Sequence, residues 1–401
     1  MRRIVIGVLV SLLLAGVAVA GEPITVGEVV KLKSKVMGEE RTILVSLPDR
    51  YAQTTARYPV LYMTDGDAHL LHTRGTVDFL ARNGEMPNLI IVGITNTDRT
   101  RDLTPTRGFR RLPDGTRQEV AGSGGGARFL DFFARELIPY VDAHYRTTPY
   151  RILAGHSLGG LFTLYAFWER GELFSAHIAA SPSLNWDDDL PLHRVEEFLK
   201  GKKELPRTVF VTMADEEAGD PAPTLFDRLR TALGGAKPAG FAWDSKLMPE
   251  ENHGSVVLRS HYWGLRAIFA GWRLPLEARG RFAGTVDDLK AHYTGLAGRF
   301  GVETAPSEVL VNQLGYQHLL ADDIDGAMTF FRYNLELYPG AANVHDSLAE
   351  ALEKAGRLDE AVASYATAVK NAKANADPRL DIFTRNHDRA AAALAKAKAK
   401  S

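Results

Sequence analysis

The chain has 401 residues, room for two or three domains at about 150 residues each. Its 48 Lys and Arg against 49 Asp and Glu leave a formal charge of −1, without the basic excess that nucleic acid demands, so no nucleic-acid partner is expected. The complete lack of cysteine excludes disulfides, thiolate metal sites, cysteine nucleophiles and a lipid anchor at an N-terminal cysteine, while 45% hydrophobic and 24% charged residues describe an ordinary folded chain.

Arg2 and Arg3, the apolar run from Ile4 to Val17 and the small residues Ala18-Val19-Ala20 have the layout of a secretory signal, so residues 1–20 are set aside as a cleaved leader. That run is too short to span a bilayer, and no later segment offers 18 uninterrupted apolar residues. The mature protein is therefore expected in the periplasm or outside the cell, with no membrane span. From 21 to 275, β-rich runs alternate with helical patterns, the mark of an α/β fold with a mostly parallel central sheet. The predicted strands are Arg41 to Leu47, Pro59 to Met63, Leu89 to Ile94, Arg151 to Ala154, His177 to Ala180, Thr208 to Met213 and Phe241 to Leu247. The second and third are nearly continuous apolar runs, as central strands buried on both faces require. Between them, Arg128 to His144 places Phe129, Phe132, Phe133, Leu137, Tyr140 and Val141 on one helical stripe, read as core packing.

Past Trp272 the pattern turns helical and Ala-rich. Asn312-Gln313-Leu314-Gly315-Tyr316 aligns with Asp346-Ser347-Leu348-Ala349-Glu350, and Ile324-Asp325-Gly326-Ala327 with Leu358-Asp359-Glu360-Ala361, both at an offset of 34 residues. That period resembles tetratricopeptide repeats over 307–373 and predicts a small all-α module. The segment 276–306 reads as a helical linker, and 374–401 as a helical or disordered tail. Stacked helix pairs offer a surface for a protein partner.

The chemistry concentrates in Gly155-His156-Ser157-Leu158-Gly159, which follows a strand and opens a helix. A G-x-S-x-G at that junction forces a bend so tight that only glycine fits on either side, and it projects the serine hydroxyl clear of the sheet. The Leu158 amide, in the first turn of the helix, faces the place where negative charge develops on an attacked carbonyl. A serine hydroxyl needs a base held by a carboxylate, and in this order of elements both follow it in the chain. His253, in the loop after the last predicted strand, is the expected base; His156 is expected to be structural and His261 is the weaker candidate. For the acid, Asp215, Glu216 and Glu217 end the strand from Thr208; Glu217 is favoured, with Asp215 as the alternate. The second oxyanion donor is expected from Gly66 or Asp67, in the loop after Met63. No metal or cofactor is called for.

Val60-Leu61-Tyr62-Met63-Thr64-Asp65-Gly66, Asp98-Arg99-Thr100-Arg101-Asp102-Leu103-Thr104-Pro105, the stretch from Phe129 to Pro139, Gly155 to Gly159, and Glu251-Asn252-His253-Gly254-Ser255 together resemble the putative esterase family of α/β-hydrolases, with its siderophore esterases, esterase D relatives, feruloyl esterases and mycolyltransferases. The resemblance spans most of 25–270. It implies an α/β-hydrolase fold, Ser157 as nucleophile, His253 as base, Glu217 as acid by strand-end position, and Arg99 facing the substrate. Leu103 departs from the aromatic residue that siderophore esterases carry there, which weakens the transfer of their specificity. Arg101 offers a second cationic fork, and Trp186, just past a predicted strand, a wall for the substrate pocket. The expectation is a secreted serine carboxylesterase acting on a small-molecule ester, siderophore-type esters among the candidates. The alternatives are acyl transfer by the same residues, or a binding protein working through its helical repeats.

Overall fold

The computed structural model describes residues 24–111, 116–216 and 221–399, so the predicted leader and the Glu217 position lie outside the described residues. Strands β1 (Glu28–Ser34) and β2 (Glu39–Ser46) form an antiparallel hairpin. β1 escapes a hydropathy search because Lys31 and Lys33 interrupt its apolar residues and it remains largely exposed. β3 (Tyr58–Met63) and β4 (Ile90–Ile94), with every residue buried, bear out the reading of their apolar runs as central strands. With β7 (Thr147–His156), β8 (Ala176–Ala180), β9 (Thr208–Asp215) and β10 (Ala242–Asn252) they complete an eight-stranded sheet of order β1-β2-β4-β3-β7-β8-β9-β10, parallel from β4 onward. A small hairpin of β5 (Phe109–Arg111) and β6 (Arg117–Glu119) stands apart from it.

Alternation along the strands divides the interior into two cores. Val60 and Tyr62 face the one built with Phe129, Phe132, Phe133, Phe162 and Phe226, whereas Leu61 and Met63 face the one with Leu70, Val77, Leu265, Ile268 and Phe300. On the Phe-rich side pack α3 (Gly126–Phe132), α4 (Ile138–His144), α5 (Leu158–Glu169), α6 (Leu190–Leu199) and α7 (Ala222–Gly235); α1 (Gly66–Arg82) and α8 (Val256–Ile268) cover the other, and the short α2 (Arg99–Leu103) sits beyond β4. The single helix expected over 128–144 is broken by a π-turn at Phe133–Leu137, where the Ile138 amide reaches back to the Phe133 carbonyl. Pro139 accounts for it: proline lacks an amide and its ring collides with the carbonyl four residues back, so one wider turn relieves the clash.

The C-terminal third is helical, as its pattern predicts. Helix α9 (Val286–Phe300), begun by a capping box between Thr285 and Asp288, docks Phe300 5.0 Å from the Tyr150 ring and 4.9 Å from Phe269, beneath the sheet. Beyond it, α10 (Glu308–Leu320) pairs with α11 (Ile324–Leu337), and α12 (Ala342–Lys354) with α13 (Leu358–Ala374). The helix starts at 308 and 342, and at 324 and 358, keep the 34-residue offset seen in the sequence. The tail forms α14 (Leu380–Lys398). Among the described residues no helix is long and apolar enough to cross a membrane.

Candidate active site

The site is built on a bend the backbone resists. Ser157, between β7 and α5, sits at φ 59°, ψ −116°, a conformation that costs a non-glycine residue on the order of 1–3 kcal/mol. Its surroundings over-determine that geometry. The Ser157 amide donates to the Ala180 carbonyl (3.0 Å), and its carbonyl accepts from Leu161 (2.9 Å) and Ser183 (3.2 Å). A Cβ on Gly155 would stand 2.2 Å from the Gly159 carbonyl oxygen, and one on Gly159 would stand 2.2 Å from the Thr64 hydroxyl, so a side chain at either position is excluded by the fold itself.

Thr64 belongs to the loop after β3, which the sequence put beside the elbow. There Asp65 adopts a left-handed conformation (φ 54°) and Gly66 opens α1. Two helix N-termini thus meet at the bend, α5 from Leu158 and α1 from Gly66 and Asp67, and the first amides of a helix have no partner within it. Such amides and their dipoles suit a developing oxyanion.

The loop of His253 is a compact turn. Asn252 Oδ1 accepts from the amides of Gly254 (3.0 Å) and Ser255 (2.9 Å), and the Ser255 hydroxyl receives the Asn252 amide (3.0 Å). His253 Nδ1 lies 3.0 Å from Glu216 Oε1. Glu216, its side chain 11% exposed, therefore holds the place assigned to Glu217 or Asp215. Asp215 is exposed and ends β9 in register with Asn252. The chain leaves the sheet at that residue, so strand alternation no longer governs which carboxylate turns inward. The imidazole of His253 packs against His156 at 4.7 Å between centroids, and His156 Nε2 lies 2.6 Å from the His253 carbonyl oxygen. Here the residue expected to be structural touches the base loop directly.

The residues expected to bind substrate are each engaged within the protein. Arg99 points its Nε and Nη2 at Asp65 (2.6 and 3.1 Å), and Nη2 also donates to the His156 carbonyl (3.0 Å). Its partner is thus in the oxyanion loop, not Asp98 or Asp102 beside it. Burial alone would raise the Asp65 carboxyl; the Arg99 fork and the Asn96 amide outweigh it and hold the group below its ordinary value. Arg101 donates to Glu39 (2.6 Å) and Asp102 (2.7 Å), in a lattice with the buried Arg41, and so serves to anchor α2. Trp186 is 8% exposed, donates its indole N–H to Thr106 (3.1 Å) and covers Gly108. It ties the loop before β5 to the one after β8.

Behind the elbow lies a row of histidines. His69 faces His156 at 6.0 Å between centroids and bonds His72 at 3.1 Å; His72 stacks on His261 at 5.6 Å, and His261 bonds the Thr73 hydroxyl at 2.8 Å. Burial depresses all four, His72 and His156 to about 4, with neighbouring imidazoles adding to the effect on His72, His156 and His261. Among the described residues no group of three or more His, Asp or Glu is arranged to hold a metal ion.

A serine on a strained elbow, two helix N-termini and a carboxylate-tethered imidazole form an arrangement suited to acyl transfer. Residues 34–233 match the family described as Putative esterase. The ferri-bacillibactin esterase BesA of Bacillus subtilis is 29% identical over 215 residues, 48% of this chain and 73% of the relative. The siderophore triacetylfusarinine C esterase of Aspergillus fumigatus is 32% identical over 177 residues, 41% of this chain and 59% of the relative. A solved IroE-like serine hydrolase from Shewanella oneidensis superposes with a TM-score of 0.65 at 29% identity, covering 78% of this chain and 99% of that one. The chain is an α/β-hydrolase and a carboxylic ester hydrolase, and through residues 34–233 it belongs to the putative esterase family.

Proposed function

We propose that the protein is a serine esterase that cleaves siderophore-type esters. His253 takes the proton of Ser157 as the hydroxyl attacks the ester carbonyl; Glu216 orients the imidazole; the amides of Leu158 and of Gly66 or Asp67 hold the oxyanion. Collapse of the tetrahedral adduct breaks the C–O bond, and His253 returns the proton to the departing alcohol. Water, deprotonated by the same imidazole, then releases the acid and frees the serine. The observation that carries this reading is Ser157 held at φ 59° beside a base loop tethered to Glu216. The substrate class rests on what the relatives are named for: esterases of ferri-bacillibactin and triacetylfusarinine C. The same reading takes 1–20 as a leader cleaved on export, places the enzyme in the periplasm or outside the cell, and takes 307–373 as tetratricopeptide repeats.

The test is hydrolysis of a catecholate trilactone, iron-loaded and iron-free, beside p-nitrophenyl acetate. Wild type is expected to open the trilactone faster than the small ester. Ser157→Ala is expected to lose at least about a thousandfold in kcat with its melting temperature kept, because the deleted hydroxyl supports no packing. Hydrolysis of p-nitrophenyl acetate alone would reject the siderophore class; equal rates for wild type and Ser157→Ala would reject the site.

A further inference from the structure

We infer that His156 is a positioning residue whose imidazole, donating from Nε2 to the main-chain carbonyl of His253, fixes the base over the nucleophile. The inference rests on the serine-esterase reading above and adds a residue to it. A carbonyl oxygen only accepts, so at 2.6 Å the proton of this bond belongs to His156 and sets its tautomer. Within the turn that carries His253, Asn252 Oδ1 serves Gly254 and Ser255 and the Ser255 hydroxyl serves Glu251, while Asn252 itself meets Asp215 of β9. Glu216 reaches across 37 residues to hold the imidazole, whereas His156 reaches across 97 to hold the backbone. One tether fixes the ring's rotation and the other its height.

The second tether continues beyond the base. His156's own carbonyl receives Arg99 Nη2, and the same guanidinium grips Asp65, the residue before Gly66. The base loop, the nucleophile elbow and the oxyanion turn are strung on one line of hydrogen bonds, with His156 at its centre. Because burial and the adjacent His253 push the His156 imidazole down to about 4, it stays neutral at working pH and does not compete for the proton His253 must carry. A ring that only filled space would need no donor at this position; an imidazole aimed at a carbonyl supplies one.

Three variants separate donor from ring. His156→Phe keeps a flat ring and removes the donor; His156→Gln carries an amide donor at similar reach; His156→Asn falls one methylene short. For His156→Phe, kcat is expected to drop between about ten- and a hundredfold, as misplacement of a catalytic group by a fraction of an ångström does, with KM within about twofold of wild type. His156→Gln is expected to recover most of that loss, and His156→Asn is not. The inference is overturned if His156→Phe turns over at the wild-type rate, or if Gln and Asn variants, folded by circular dichroism, are equally active. Ser157→Ala measured alongside separates the two readings: if it retains turnover, the serine-esterase assignment fails whatever position 156 does.

Discussion

The catalytic elbow and the C-terminal helices are stabilised in opposite ways. At the elbow the backbone is strained, Asp65 is buried against a single guanidinium, and imidazoles are packed until burial makes them neutral. In the helical module, starts recur at a fixed offset, the core is a series of apolar clusters, one of which holds Phe331, and charges such as Arg357 and Glu360 pair at the surface. The first region gives up stability for geometry; the second repeats one stable unit. Substitutions should therefore act on activity at the elbow and on stability in the module.

After Ser157→Ala, the largest effect expected is at Glu216. Glu216→Gln should lower kcat by about a hundred- to ten-thousandfold, since a neutral amide neither fixes the tautomer of His253 nor stabilises its cation, while Asp215→Asn should leave kcat within about twofold. Steady-state kinetics on one ester decides it; the reverse ranking would restore Asp215 as the acid. The matching cut in the module is Phe331→Ala, which removes a fully buried ring and should cost about 3–5 kcal/mol in denaturant melts while kcat at 25 °C stays within about twofold. A parallel loss of kcat would show that the module shapes the site.

Arg99→Met leaves the Asp65 carboxylate buried without its cation. It is expected to cost about 2 kcal/mol, below the range for a fully buried pair because the Arg99 side chain is 33% exposed, and to lower kcat with it. Loss of substrate affinity with stability intact would instead return Arg99 to the substrate. Stability should also follow pH. His72 and His156 titrate at about 4 when folded and near 6.5 when not, so the unfolded chain binds more protons between those values. The stability they contribute is complete above about pH 6.5 and drains away as pH falls toward 4, each displaced proton adding up to about 1.4 kcal/mol per pH unit to the slope. Melts at pH 7, 6 and 5 should show this, and His72→Gln should flatten it; an unchanged slope would remove His72 from the cause. Smallest of all, Arg357→Ala breaks an exposed pair and should move stability by no more than about 0.5 kcal/mol.

What the residues disclosed in advance follows the range of each interaction. Glycine on both sides of Ser157 is a local steric demand, and the 34-residue period is a local pattern, so elbow and repeat offset were both legible in the sequence. Neither the choice of Glu216 nor the partner of Arg99 was. The run Asp215-Glu216-Glu217 offers three equivalent carboxylates, and the one that meets His253, 37 residues on, is set by the path the chain takes after it leaves β9. Arg99 sits among Asp98 and Asp102, but Asp98 caps α2 by accepting the Arg101 amide and Asp102 is taken by Arg41 and Arg101. Its true partner lies 34 residues back and is brought there by the parallel pairing of β3 with β4. The same holds for His156, whose acceptor is 97 residues away.

Labelling with a fluorophosphonate followed by peptide mass mapping tests the account at its centre. Wild type should carry one adduct, on the peptide containing Ser157, and His253→Ala and Glu216→Gln should label far more slowly. An adduct on another serine, or one formed at the wild-type rate without His253, would contradict it.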